Sequence, residues 1–247
     1  MKKTCAVLTA LLLLQCGFAV AQEVDFAEDT GGVYYPLQLA LYPTVQLVPY
    51  DGDFAGLRLN IIGVNQDVSG LDIGIANQTD GVFHGVGVGV VNLYQEDFFG
   101  VNVGFINNVD GNMNGFQGIP YLTFWNAVNL VDGHSAGVQG GLFNRTESLV
   151  GLQGGLVNVA YDAKGVMLGL YNYSKSFQGL HLGLVNIVYE DMTGGQIGIY
   201  NGVRDVNGLQ LGLINQCQNL YGLQLGLVNI YPENQISPAM ILANWQF

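Results

Sequence analysis

The chain has 247 residues, of which 49% are hydrophobic and only 11% charged, with 36 glycines and 6 prolines. That composition excludes a disordered tail, and a formal charge of −12 disfavours nucleic-acid binding because phosphates repel an acidic surface. A glycine share about twice the ordinary ~7% means frequent turns or close backbone approaches, and few helices.

Residues 1–21 read as an export leader. "MKK" is basic, "AVLTALLLLQCGFAV" is apolar, and Ala19 and Ala21 form the small-x-small pattern of a cleavage site. Lipidation at Cys16 is the competing reading, disfavoured by Gln15 where a small residue normally precedes a lipidated cysteine. Cleavage removes Cys5 and Cys16 and leaves Cys217 alone, so no internal disulfide is expected, and Cys217 reads as a small residue in a turn. No later segment approaches the ~18 consecutive apolar residues of a spanning helix.

Residues 22–247 read as a single repeat-built β domain: a tail at 22–33, a first strand region at 34–50, repeats at 56–230 and a terminal strand at 236–247. In the first strand region, Leu37, Leu39 and Leu41 alternate between Pro36 and Pro49. From residue 56 the phrase "GLQLGLVN" and its relatives recur every 14 or 15 residues, and so regular a period marks a repeat architecture. The second glycine of the phrase falls at Gly74, Gly89, Gly104, Gly141, Gly155, Gly169, Gly183, Gly198, Gly212 and Gly226, with Asn60 and Ile119 in the same slot. One interval is lengthened by an insertion around Trp125.

Within a copy the period is two. Leu209, Leu211 and Leu213 share one face and Gln210 lies on the other, so each copy reads as one β-strand. The Gln210 slot recurs as Arg58, Asp72, Asn102, Gln117, Gln139, Gln153, His181, Gln196 and Gln224, with Gly87 and Met167 departing. Segments such as "YEDMT", "RDVN" and "VDGNMN" read as turns, and the asparagine that closes most copies, Asn215 and Asn229 among them, as a strand-end cap.

Two architectures fit these strands. The leading expectation is an antiparallel outer-membrane β-barrel of about 14 strands, with the Leu face in lipid and the Gln/Gly face in the lumen. The alternative is a β-solenoid with 14–15-residue coils, a dry Leu core and the Gln/Gly face in water. The ending "AMILANWQF" favours the barrel, because alternating apolar residues closing on Trp245 and Phe247 look like a terminal-strand insertion signal. Outer-membrane lipid and the barrel-assembly machinery are then the expected partners. Uniform connections favour the solenoid. In either case Leu211→Asp is expected to reduce folded protein greatly and Gln210→Ala not to.

The repeats, the preceding "LQLALYPTVQLVPYDGDFAGLRLNIIGVN" and "GLDIGIAN", and the "NWQF" ending resemble a widespread group of bacterial surface-repeat proteins catalogued from leptospiral examples. The resemblance covers nearly the whole chain after the leader. It implies a bacterial origin and a cell-envelope location, and it brings no activity and no ligand residues.

Few residues suggest chemistry. The glycines of "GVGVGVVN" alternate within a strand, whereas a phosphate loop needs them before a helix. His84, His134 and His181 lack metal-ligand spacing, and His134 and Ser135, as neighbours on an extended chain, point apart. No catalytic residue, cofactor or metal ligand is therefore expected. The acidic residues gather in the turns, where Glu190, Asp191 and Asp205 are the group to test for divalent cations. The expected function is a structural or passive pore-like role at the bacterial outer membrane or cell surface. The alternative is a secreted or surface-attached solenoid that binds a partner through its Gln/Gly face.

Overall fold

The computed structural model describes residues 35–118, 127–234 and 237–247. The leader with Ala19 and Ala21, the tail at 22–33, and Ile119 and Trp125 of the insertion lie outside the described residues.

The described chain is all β. Strands β1 (Tyr35–Tyr42) and β2 (Val45–Gln46) open it. Before the insertion come β3 (Phe54–Asn65), β4 (Val68–Thr79), β5 (Phe83–Val88), β6 (Val91–Tyr94), β7 (Phe98–Val103), β8 (Ile106–Val109) and β9 (Met113–Gly118). After it come β10 (Val128–Gly140), β11 (Phe143–Gly154), β12 (Val157–Leu168), β13 (Tyr171–Leu182), β14 (Val185–Gln216), β15 (Asn219–Ile230) and β16 (Ala239–Gln246).

Each repeat lies parallel on the next with like residues stacked: Asn144 on Asn158 on Asn172, and Gly151 on Gly165 on Gly179. A chain that comes back in the same direction every 14 or 15 residues must wind, so the fold is a β-solenoid. The antiparallel barrel is overturned on this point. Among the described strands, only β1 with β2 and β15 with β16 pair antiparallel, and the sheet runs from β16 to β1 and β2 without closing. Trp245 lies opposite Leu223 on the last coil, so Trp245 and Phe247 belong to a strand that ends the solenoid and not to a barrel seam.

In several copies the eight-residue phrase is broken by a bend, whereas the copies at 208–215 and 222–229 lie within β14 and β15. Gly169 and Leu170 form a bend between β12 and β13, and Gly183 and Leu184 another between β13 and β14. The acidic segments expected as turns do bend in the early coils, at Gln66-Asp67 and Asp80-Gly81, but "YEDMT" and "RDVN" are extended within β14. The first glycine of the phrase makes a further corner. Gly179 has φ 140°, a conformation that side chains rarely adopt, and a Cβ there would collide with the carbonyl oxygen of Gly165 in the coil before.

The faces are reversed from the solenoid expectation, which put leucine in the core; the barrel expectation had leucine outward, but in lipid and around an open lumen. Gln210 and Gln224 are 0% exposed, whereas Leu211 is 39% and Leu213 49% exposed. Four columns of side chains fill the interior. Phe54, Phe83, Phe98, Met113, Leu149 and Phe177 belong to one apolar column, and Tyr94, Val109, Val131, Val188 and Cys217 to another. Between them lie the column of the Gln210 slot and a column of asparagines.

Buried amides are tolerated because each one sits a single coil spacing, ~4.8 Å, from its own copy. The asparagine column is an unbroken ladder from Asn77 to Asn229 in which each Nδ2 donates to the next Oδ1 at 2.7–2.9 Å. Most also donate to a carbonyl of the following coil, as Asn172 does to Leu182 at 3.0 Å. These residues are therefore not strand-end caps. The second glycine of the phrase leaves room for the ladder, since a Cβ at Gly183 would lie 2.7 Å from Asn172 Nδ2 and would strike the Gly169 carbonyl. The ladder crosses the insertion intact, Asn107 donating to Asn129 at 2.9 Å. The expected mutational pattern is reversed accordingly: Leu211→Asp should leave the coil folded, and Gln210→Ala should break a buried bond.

Candidate functional site

The outer surface carries what the interior does not need. After each corner glycine two residues of the phrase point outward, as Leu209 and Leu211 do, and the bend that follows breaks the alternation so that the next two both face out, as Leu184 and Val185 do. In-register stacking turns these positions into straight ridges. One runs through Leu57, Leu71, Val86, Leu180, Leu209 and Leu223, the next through Leu59, Ile73, Val88, Leu168, Leu182 and Leu211, and the corner ridge through Ile61, Ile75, Val90, Leu170, Ile199 and Leu213. Leu71, Val88, Ile75 and Leu170 are 37–55% exposed, whereas Leu57, Leu180, Leu209 and Leu223 are half-buried. The interruptions at Gly118, Gly140, Gly154 and Gly195 are small, and among the described residues no charged one occupies any ridge. The result, among the described residues, is an aliphatic face on the coils either side of the insertion.

Most of the titratable groups picked out from the sequence are buried or paired, His134 being exposed. His181 sits in the Gln column between Phe177, 3.8 Å from ring to ring, and Met167 Sδ, 3.1 Å from its Nε2. It splits the glutamine ladder, which runs from Gln117 to Gln153 below it and from Gln196 to Gln224 above it. At the break, Gln153 Oε1, Gln196 Nε2 and His181 Nδ1 lack a hydrogen-bond partner. Burial pushes the His181 pKa down to about 3. The folded chain therefore stays unprotonated there while the unfolded chain takes up a proton near 6.5, so the stability contribution is complete above pH ~6.5 and is lost as pH falls toward 3. His181→Gln is expected to flatten the fall of Tm between pH 7 and pH 4, and equal slopes in the two proteins would refute it.

The other departure from the slot has a steric reason. Gly87 lets the buried Tyr94 ring reach across the interior, because a Cβ there would strike the Tyr94 hydroxyl, which donates to Asn102 Oδ1 at 3.4 Å. Cys217 is buried beside Gln224 Nε2, with its thiol pushed up to about 12 by burial and by Asp205. It is a core residue of the second apolar column, where the sequence suggested a turn.

Ser135 is buried and His134 exposed, so the pair is divided between the two sides of the wall. His84 stacks on Phe99 at 4.7 Å. Of the acidic group, Glu190 faces Lys175 at 3.7 Å, Asp191 faces Arg204 at 3.7 Å, and Asp205 accepts from Arg204 at 2.7 Å and also from Asn219. Hydrogen bonds from Asn219 and then Arg204 hold the Asp205 carboxyl below its usual range. Among the described residues no three His, Cys, Asp or Glu side chains are grouped to hold a metal ion.

The sequence located the ridges but placed them in the core or in lipid. The signal for their exposure was the near absence of large apolar residues from the opposite slot, where Gln and Asn recur with the same period. Comparison with protein-family models, with curated proteins and with solved structures finds no match.

Proposed function

We propose that the chain is an exported, non-catalytic bacterial cell-surface β-solenoid that binds a partner through its aliphatic face. The observation that carries this reading is the face itself: ridges of half-buried to exposed Leu, Ile and Val along the coils, with every described charge placed elsewhere. Contiguous apolar patches beyond a few hundred Å² are rare on monomers and mark interaction sites. Export is supported by the basic and then apolar start of the chain and by the resemblance of its repeats to bacterial surface proteins. Binding through the Gln/Gly face is replaced by binding through the Leu face, because the glutamines are enclosed. A passive pore has less support, since a lumen would have to run where the Gln and Asn columns are packed.

Two cysteine reporters test the proposal on intact cells that produce the full chain. Gln178→Cys lies off the face and Leu211→Cys on it; Cys217, buried and with its thiol pushed up to about 12, is silent. A membrane-impermeant maleimide is expected to label the Gln178→Cys variant and spare the Leu211→Cys variant. Equal labelling of both would mean that nothing covers the face, and labelling of neither would refute surface display.

A further inference from the structure

We infer that the occupant of the aliphatic face is a second copy of this chain, the two solenoids packing face to face about a two-fold axis. The inference rests on the reading of that face as a binding surface and adds the identity of the partner.

Area is the first support. Stacked at ~4.8 Å, about twelve coils make a face ~55 Å long, and three ridges spread over five residues make it ~15 Å wide, or ~800 Å² per copy. A stable interface needs about 800 Å² from each partner, whereas the largest patch on an ordinary monomer is ~300–600 Å². The face is therefore of dimer size.

Shape is the second. Parallel in-register stacking leaves the ridges straight and evenly spaced, so the ridges of one copy fit the grooves of the other, as in two sheets packed ~10 Å apart. A two-fold axis makes every contact reciprocal, and a single repeated surface is then its own complement.

Charge is the third. The chain carries −12, and its acidic residues lie at coil positions away from the ridges, as Asp162 and Asp205 do. A neutral face on each copy allows close approach while the acidic sides stay in water. An anionic lipid surface would meet that charge with repulsion and would find no described lysine or arginine on the ridges to hold it.

The experiment is the mass in solution of the full chain, purified without detergent, by light scattering over a dilution series. Leu170→Asp and Leu211→Asp alter the face, Gln178→Glu alters another side, and circular dichroism checks that each is folded. Ile199→Lys substitutes for an aspartate variant that does not fold. The expected result is twice the chain mass for the wild type and for Gln178→Glu, and the single-chain mass for the face variants. A wild-type monomer overturns the inference. If that monomer floats with phosphatidylcholine vesicles and Leu211→Asp does not, the occupant is lipid and the reading of the face survives without the second copy. A dimer that persists in all the face variants overturns the inference and that reading together.

Discussion

Asp72→Asn is expected to destabilise the folded chain by about 3–5 kcal/mol, because it keeps the shape of the side chain but leaves a buried guanidinium without its counter-charge. Arg58 and Asp72 are both 0% exposed and occupy the Gln slot in successive coils, where they take the place of a glutamine pair. Their contact is two-pronged, Nε to Oδ1 at 2.8 Å and Nη2 to Oδ2 at 2.5 Å. Arg58 also donates to Asn65 Oδ1 at 3.2 Å and to the Gln78 carbonyl at 3.0 Å, and Asn60 donates to Asp72 at 2.9 Å. Such a network is costly to break at one point and cheap to remove as a whole, so Arg58→Met with Asp72→Leu should recover most of the loss. Urea midpoints measure both. A single variant within ~0.5 kcal/mol of the wild type, the range of an ordinary surface change, would mean that the pair is not enclosed.

Asn186→Leu should cost about 3–6 kcal/mol, since it leaves several buried polar groups unpaired at about 1–3 kcal/mol each. Asn186 accepts from Asn172 at 2.8 Å and donates to Asn201 at 2.9 Å and to the Ile197 carbonyl at 3.0 Å. The exposed Asn207 provides the comparison, and Asn207→Leu should change Tm little. Similar shifts in Tm for the two substitutions would show that the ladder contributes nothing.

Much of this fold was legible in the sequence, and several inferences from it went wrong. The period, the strand character and the membership of the Gln210 slot were read from spacing alone, and that slot is one column of the interior. Which side faces inward was misread in the solenoid alternative, whereas the barrel had leucine outward but in lipid. An alternating pattern defines two faces, and the usual assignment puts leucine inside because an isolated buried amide is costly. Here Gln210 lies against Gln196 and Gln224, and Asn186 against Asn172 and Asn201, so the cost is removed by copies one coil away. No single strand carries that information. Strand direction was hidden for the same reason: alternation is identical in parallel and antiparallel sheets, and the aromatic ending at Trp245 and Phe247 pointed to a barrel.

The corners were harder to read. Gly179 and Gly183 are four residues apart in one phrase, yet one is needed for its backbone conformation and the other for the empty space beside Asn172. Met167 stood out as a departure from the polar stripe and His181 as a histidine in a slot usually held by Gln. They are an enclosed step in the ladder, and the price is the unpaired amide atoms on either side.

The unbroken asparagine ladder limits how the length of such a chain can change. Removing or duplicating one whole repeat brings Asn172 against an identical amide and leaves both ends as they were, so the molecule can grow or shrink in steps of one coil. A change of a few residues inside a stacked segment would shift glycine against asparagine and glutamine against leucine, whereas residues added between stacked segments are absorbed locally, as at the one-residue shift between Ser174 and Phe177. The lengthened interval between Asn107 and Asn129 fits this rule, because the amides on its two sides still meet at 2.9 Å and the additional residues leave the stacking unaltered.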